Sequence, residues 1–133
     1  NLHFTESVEE NFFNGFRQLS EVAVKALSPG INDPGTAIES MRALFQLYAH
    51  RACHFPDNVI KNENNKIRII INELSFEDIF ERTLLPIWDY GKNDRMIQHE
   101  IRHLLTMLFS LHQNTFVGEL LHEVELEILK KQK

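Results

Sequence analysis

Apolar residues along this chain recur mostly at alternating spacings of three and four, the interval that stacks side chains on one face of an α-helix. Phe12, Phe16, Leu19, Ala23 and Ala26 form one such stripe and predict a first helix from about residue 8 to residue 27. It should stop at Ser28, Pro29 and Gly30, because proline and glycine continue a helix poorly. Ile38, Met41, Phe45, Tyr48 and Ala52 predict a second helix. Asp33 can cap its free amides, and Pro34 falls at the first helical position, where a missing N–H costs nothing. A third stripe holds Phe76, Ile79, Phe80, Leu84 and Ile87, with Ser75 as its cap and Asp78 as an incomplete capping box. Pro86 should kink this helix or split off its last turn, and Gly91 should end it. Asn93 or Asp94 opens a fourth, which carries Ile97, Ile101, Leu104, Leu108 and Leu111 on one face. The fifth has Val117, Leu121, Val124 and Ile128, with Asn114 as cap and Lys130, Lys131 and Lys133 at the negative end of its dipole.

The period changes once, after the second helix. A polar stretch over residues 55–66 has Val59 and Ile60 before Glu63, Asn64 and Asn65, and Ile67, Ile69, Ile70 and Ile71 follow. β-Branched runs on either side of an Asn-rich turn predict a small hairpin. A lone hairpin is marginal in water, so it should pack on the helices or pair with residues around Phe4. The expected fold is all-α: one domain over residues 1–133, a bundle of about five helices with a small β-hairpin inserted after the second.

Composition narrows the function classes. At 133 residues the chain can bury a core without a disulfide or metal staple. Fourteen basic against nineteen acidic residues give a net charge of −5, which disfavours non-specific binding to nucleic acid or anionic lipid. The single cysteine, Cys53, excludes an internal disulfide and fits a reducing compartment. No apolar run approaches the roughly 20 residues that cross a bilayer, and no signal peptide is expected. The chain opens on Asn1, Leu2, His3 and Phe4 without an initiator Met, as a piece of a longer protein would. It carries no P-loop, no dinucleotide fingerprint and no Ser or Cys nucleophile motif, so no cofactor is expected.

One motif has the spacing of a metal site. His99, Glu100 and His103 form an H-E-x-x-H on a predicted helix, where histidines four apart share a face and can hold zinc while the glutamate activates its water. Glu123 stands at the separation of a third ligand, beside Glu119 and His122. Arg102 breaks the uncharged spacer usual in such sites, and the chain has no evident sheet edge to hold a substrate strand. The two histidines also flank the apolar stripe rather than lie in it. Histidines at the helix surface are the expected reading, with a zinc hydrolase at His99, His103 and Glu123 as its alternative. A second cluster, His50, Cys53 and His54, is weaker, since Cys53 points about 100° away from His54 on a helix.

The third feature is the turn between the first two helices. Ser28, Pro29, Gly30, Ile31, Asn32, Asp33 and Pro34 make a helix stop, a tight turn and a capped restart. Amides at residues 35 and 36 could instead hold an anion or small ligand, although Asp33 is itself the nearest anion to fill that place. Arg17, Gln18, Ser28, Asn32, Asp33 and Arg42 are the candidates for a polar cluster around the turn. The structural role is the favoured expectation.

That turn also carries a likeness. Phe16, Arg17, Gln18 and Leu19, then Ala26 through Pro34 and Thr36-Ala37, closely resemble the signature of a bacterial family of predicted membrane proteins, domain of unknown function 2254. Ile67, Arg68 and Ile69 through Ser75 and Phe76, and Tyr90-Gly91 with Asp94, look like later parts of the same pattern. The resemblance implies a parent with transmembrane helices in its N-terminal half, this chain being the end of a soluble C-terminal region. It implies a bacterial inner membrane, the domain on its cytoplasmic side, and no established activity. That pattern contains no H-E-x-x-H at the place of His99. The function expected from all this is a non-catalytic regulatory or assembly domain whose partners are other regions of the same membrane protein, with a homo-oligomer as a further option. No nucleic acid and no direct membrane insertion by this stretch are expected.

Overall fold

Helix starts in this chain are set by short polar side chains. In the computed structural model, which describes residues 2–54, 59–61, 67–70 and 75–130, side chains can be described for residues 13–52 and 75–130. Ser75 Oγ accepts from the amide of Asp78 at 3.2 Å and opens α3 (Phe76–Gly91). Asp94 Oδ1 accepts from the amide of Ile97 at 3.2 Å and opens α4 (Arg95–Leu111). Asn114 Oδ1 accepts from Phe116 and Val117 at 2.8 and 3.4 Å and opens α5 (Thr115–Lys130). Each oxygen satisfies amides that the first turn leaves unpaired. Ahead of them lie α1 (Leu2–Leu27) and α2 (Pro34–His54).

The architecture is all-α, five helices around one core. Between α2 and α3 the short strands β1 (Val59–Lys61) and β2 (Ile67–Ile70) pair antiparallel, Val59 opposite Ile70 and Ile60 opposite Ile69. The turn expected at Glu63, Asn64 and Asn65 lies outside the described residues. Packing is by pairs: α1 against α2 and α3, α2 against α4, and α4 against α5.

Two local expectations are corrected. α1 begins at Leu2, six residues earlier than the stripe from Phe12 suggested, so Phe4 is helical and pairs with no strand. Pro86 lies inside α3, which runs unbroken to Gly91 instead of shedding its last turn. In the α1–α2 turn Asn32 stands at φ 46°; asparagine tolerates that left-handed region better than most side chains.

Tyr48 sits at the centre of the core, fully buried. Its ring lies 5.0 Å from Phe45, 5.3 Å from Phe80, 5.7 Å from Phe16 and 6.2 Å from Phe76, centroid to centroid. A phenol buried among aromatics needs a partner for its hydroxyl. Thr83 Oγ1 supplies it at 2.6 Å. Thr83 has a single hydroxyl proton, and that is given to the Ile79 carbonyl at 2.6 Å, so Tyr48 is the donor. Ser20 Oγ then donates to the Thr83 carbonyl at 2.6 Å, which joins α1, α2 and α3 through one residue. Gly91 closes the other end: a Cβ there would stand 2.5 Å from Ile97 Cγ2 and 3.3 Å from Leu27 Cδ1.

Two outcomes follow. Gly91→Ala should destabilise the chain by about 1–3 kcal/mol, the usual cost of overpacking, read in a urea melt. Burial holds the Tyr48 phenol well above its ordinary pKa. Above pH ~10 the unfolded chain then loses a proton that the folded chain keeps. Stability is therefore unaffected by this group below pH ~10 and falls as pH rises further, with Tyr48 phenolate absorbance appearing only on unfolding. Tyr48→Phe should abolish that part of the alkaline loss.

Candidate functional site

Arg42 and Glu100 are 58 residues apart in sequence and meet across the α2–α4 contact. Arg42 Nε and Nη2 donate to the two Glu100 carboxylate oxygens at 3.0 and 3.1 Å. This is the two-pronged match of guanidinium to carboxylate. The Glu100 side chain is 14% exposed and that of Arg42 61%. Glu100 is the central glutamate of the H-E-x-x-H motif, and both its oxygens are engaged.

The remaining members of that motif do not gather. His99 is half-buried and His103 is exposed, while Glu123 on α5 accepts a 2.8 Å hydrogen bond from Trp88 Nε1. Trp88 is itself buried, so Glu123 satisfies the indole N–H at the α3–α5 contact. Among the described residues, no three His, Cys, Asp or Glu side chains come together as ligands for a metal ion. Of the weaker cluster, His50 is exposed, and the side chains of Cys53 and His54 are outside those described.

The α1–α2 turn has its own geometry. Ser28 Oγ donates to the Lys25 carbonyl at 2.7 Å, and the Ser28 carbonyl accepts from Ile31 and Asn32 at 3.1 and 2.8 Å. The amide of Asp33 reaches back to the Ala26 carbonyl at 2.6 Å, closing the turn. Asp33 Oδ1 accepts from the Thr36 amide at 3.2 Å, and Oδ2 from the Thr36 hydroxyl at 2.6 Å. These bonds, the hydroxyl first, hold the Asp33 carboxyl below its ordinary pKa. The residue foreseen as a cap is one, and its carboxylate occupies the place an incoming anion would need.

The six candidates for a polar cluster divide. Ser28, Asn32 and Asp33 share the turn, but Arg17 pairs with Glu21 one helical turn away at 3.9 Å, with both side chains more than half exposed. Arg42 is bound to Glu100, and Gln18 is exposed on α1. Arg17 lies ten residues before the end of α1, roughly 15 Å along its axis from the turn.

What sequence reasoning missed is a half-open groove of about 430 Å³ between α2 and α4. Arg42, Phe45, Gln46 and Ala49 line it from α2; Glu100, His103, Leu104, Met107, Leu108 and Leu111 line it from α4. A signal for it was present: Leu111 lies on the α4 stripe yet is 57% exposed, as is its neighbour Met107. Apolar side chains at helical spacing beyond what the core takes up mark a surface that something else covers.

The fold and this groove define a small all-α domain in which the carboxylates of Glu100 and Asp33 are engaged within the structure and a largely apolar groove stays open. Its sequence says which kind. The chain belongs to the family described as predicted membrane protein, domain of unknown function 2254, whose profile matches residues 2–107. The match stops within α4, so α5 lies outside it. Uncharacterised proteins of Mycobacterium bovis and Mycobacterium tuberculosis are similar, each 28% identical over 116 residues, 85% of this chain. The aligned part makes up 21% of each relative, so the chain spans about a fifth of their length. No solved structure matches it. Among the described residues no helix is long and apolar enough to cross a membrane.

The turn generates a prediction. Asp33→Ala should lower the melting temperature, and Asp33→Asn should retain most of it, since asparagine caps about as well without the charge. The folded pKa is depressed, so the carboxylate's contribution is fully present above its unfolded value of 3.8. It is lost as pH falls below that value through the folded pKa. A melting series between neutral pH and strong acid should therefore show the wild-type advantage over Asp33→Asn shrinking at the acid end.

Proposed function

We propose that this chain is a soluble, non-catalytic regulatory or assembly domain of a bacterial integral membrane protein, resting on other regions of that protein or on a second copy of it. The observation that carries this reading is the Arg42–Glu100 pair. It commits the one side chain of the H-E-x-x-H motif that would do chemistry to a structural bond across α2 and α4. Membership of a family of predicted membrane proteins supports the membrane-bound parent. The parent is assigned to the inner membrane with this domain on the cytoplasmic side, in keeping with its single cysteine.

Exposed apolar residues support contact with a neighbour. Leu126 and Leu129, three apart on α5, are 46% and 55% exposed on the helix that packs mainly against α4. An anion sensor at the α1–α2 turn finds less support, because Asp33 already fills the helix start there.

The test uses the full-length parent in its membrane. A photo-crosslinking residue at Leu126 or Leu129 should join this domain to another region of the parent or to a second copy, in a band that mass spectrometry can map. Crosslinks to neither, from either position, would sink the assembly reading.

A further inference from the structure

The walls of the α2–α4 groove narrow what can lie in it. Every residue that lines it belongs to α2 or α4. A helix uses its backbone N–H and C=O groups on itself, so neither wall offers an edge for an extended strand to pair with. A strand laid there would leave its own backbone unpaired over an apolar floor, whereas a helix arrives with its bonds made. The trough is also open. Phe45 and Leu108 are buried, but Met107 and Leu111 at the lip stand more than half exposed. A small molecule between them would keep much of its surface in water, short of the roughly 70–90% burial usual for such ligands.

Charge gives the groove a direction. Glu39 precedes Arg42 by three residues on α2, so the two share a face, and it acts on the guanidinium that Glu100 holds by two bonds. Two carboxylates against one guanidinium leave this end negative. Beyond Arg42 and Glu100 no further Asp, Glu, Lys or Arg lines the groove, and Leu104, Met107, Leu108 and Leu111 continue it. The net charge of −5 on the chain acts in the same sense. A cation is therefore favoured at the Glu39 end and apolar anchors along the rest.

Size bears on where such a helix comes from. From Glu100 to Leu111 the trough is roughly 16 Å long, about three helical turns. A helix about 10 Å wide lying in it covers roughly 160 Å² in projection, far below the ~800 Å² each partner gives to a stable interface. A separate protein or a second copy seated only here would not hold. A segment of the same polypeptide needs no such area, because tethering supplies a high effective concentration. The chain spans about a fifth of the similar mycobacterial proteins, so most of a polypeptide of that size lies outside these five helices.

We infer that the groove receives an amphipathic helix from elsewhere in the same polypeptide, with Lys or Arg at the Glu39 end and apolar anchors at i, i+4 and i+7 along the leucines. Met107 at the lip suits this, because an unbranched thioether side chain adapts to an irregular partner. The source of the helix rests on the assembly reading, while the surface differs from that of Leu126 and Leu129.

The experiment places a photo-crosslinking residue at Met107 in the full-length parent in its membrane. Irradiation should give a product that still migrates as one copy, and mass spectrometry should map it to a segment with that pattern. Glu39→Lys should cut the yield at least about threefold and Glu39→Gln by less, the scale of an exposed charge pair. Both variants should leave the melting temperature of the 133-residue chain unchanged, since Glu39 is exposed. A crosslink between two copies, to another protein, to lipid or to a segment without the pattern would overturn the inference. So would no crosslink, or a yield indifferent to Glu39. Crosslinks from Leu126 or Leu129 with failure at Met107 would strike the groove helix and leave the assembly reading standing, while failure at all three positions would remove both.

Discussion

A phenol hydroxyl buried among aromatic rings must be satisfied, and in this chain a short run of hydrogen bonds through Thr83 does so. Tyr48 donates to Thr83, whose own proton is spent on the Ile79 carbonyl, while the Thr83 carbonyl takes the proton of Ser20. An unmet hydroxyl here would cost about 1–3 kcal/mol, and no water reaches a side chain with no exposed surface. The three bonds therefore set the rotation of α1, α2 and α3 about their axes, and Phe16, Phe45, Phe76 and Phe80 pack around the result. A slip of one residue in any of the three helices would turn a donor away from its acceptor.

α4 is held to this frame by separate devices. Gly91 allows the end of α3 to meet Ile97, Asp94 caps the new helix, and the buried Gln98 amide donates back to the Lys92 carbonyl. With α2 and α4 both anchored, the space between them is bridged at one end by Arg42 and Glu100 and left open along the rest. The groove is thus a consequence of how α4 is anchored, and its polarity follows from which residues fall on either side of the salt bridge.

The H-E-x-x-H motif shows how local spacing and tertiary position part company. Two histidines four apart on a helix do share a face, as the sequence implies. What that face looks out on depends on the neighbouring helix, and here α2 presents a guanidinium to the glutamate. Glu123 stands at a fitting sequence separation but lies on α5, where the indole of Trp88 claims it. Neither contact has a counterpart in spacing, because Arg42 and Trp88 are 58 and 35 residues from their partners.

Helix number, the core stripes and the caps at Asp33, Ser75 and Asn114 were legible in the chain, and the α4 cap was narrowed to Asn93 or Asp94, since each depends on contacts within four residues. The family signature around Ser28 to Pro34 was legible for the same reason, being one continuous run. The stripes were right in phase, Leu111 on α4 apart, but incomplete: Leu44 and Leu105 are buried too, because α2 and α4 each meet more than one neighbour and need a wider face than one stripe supplies, and so is Leu120 on α5. Burial of Arg51 and Gln98, the Tyr48 network and the groove were beyond reach. They depend on which helices become neighbours and at what rotation, and that is settled by satisfying buried polar groups across the whole fold, a condition no periodicity expresses.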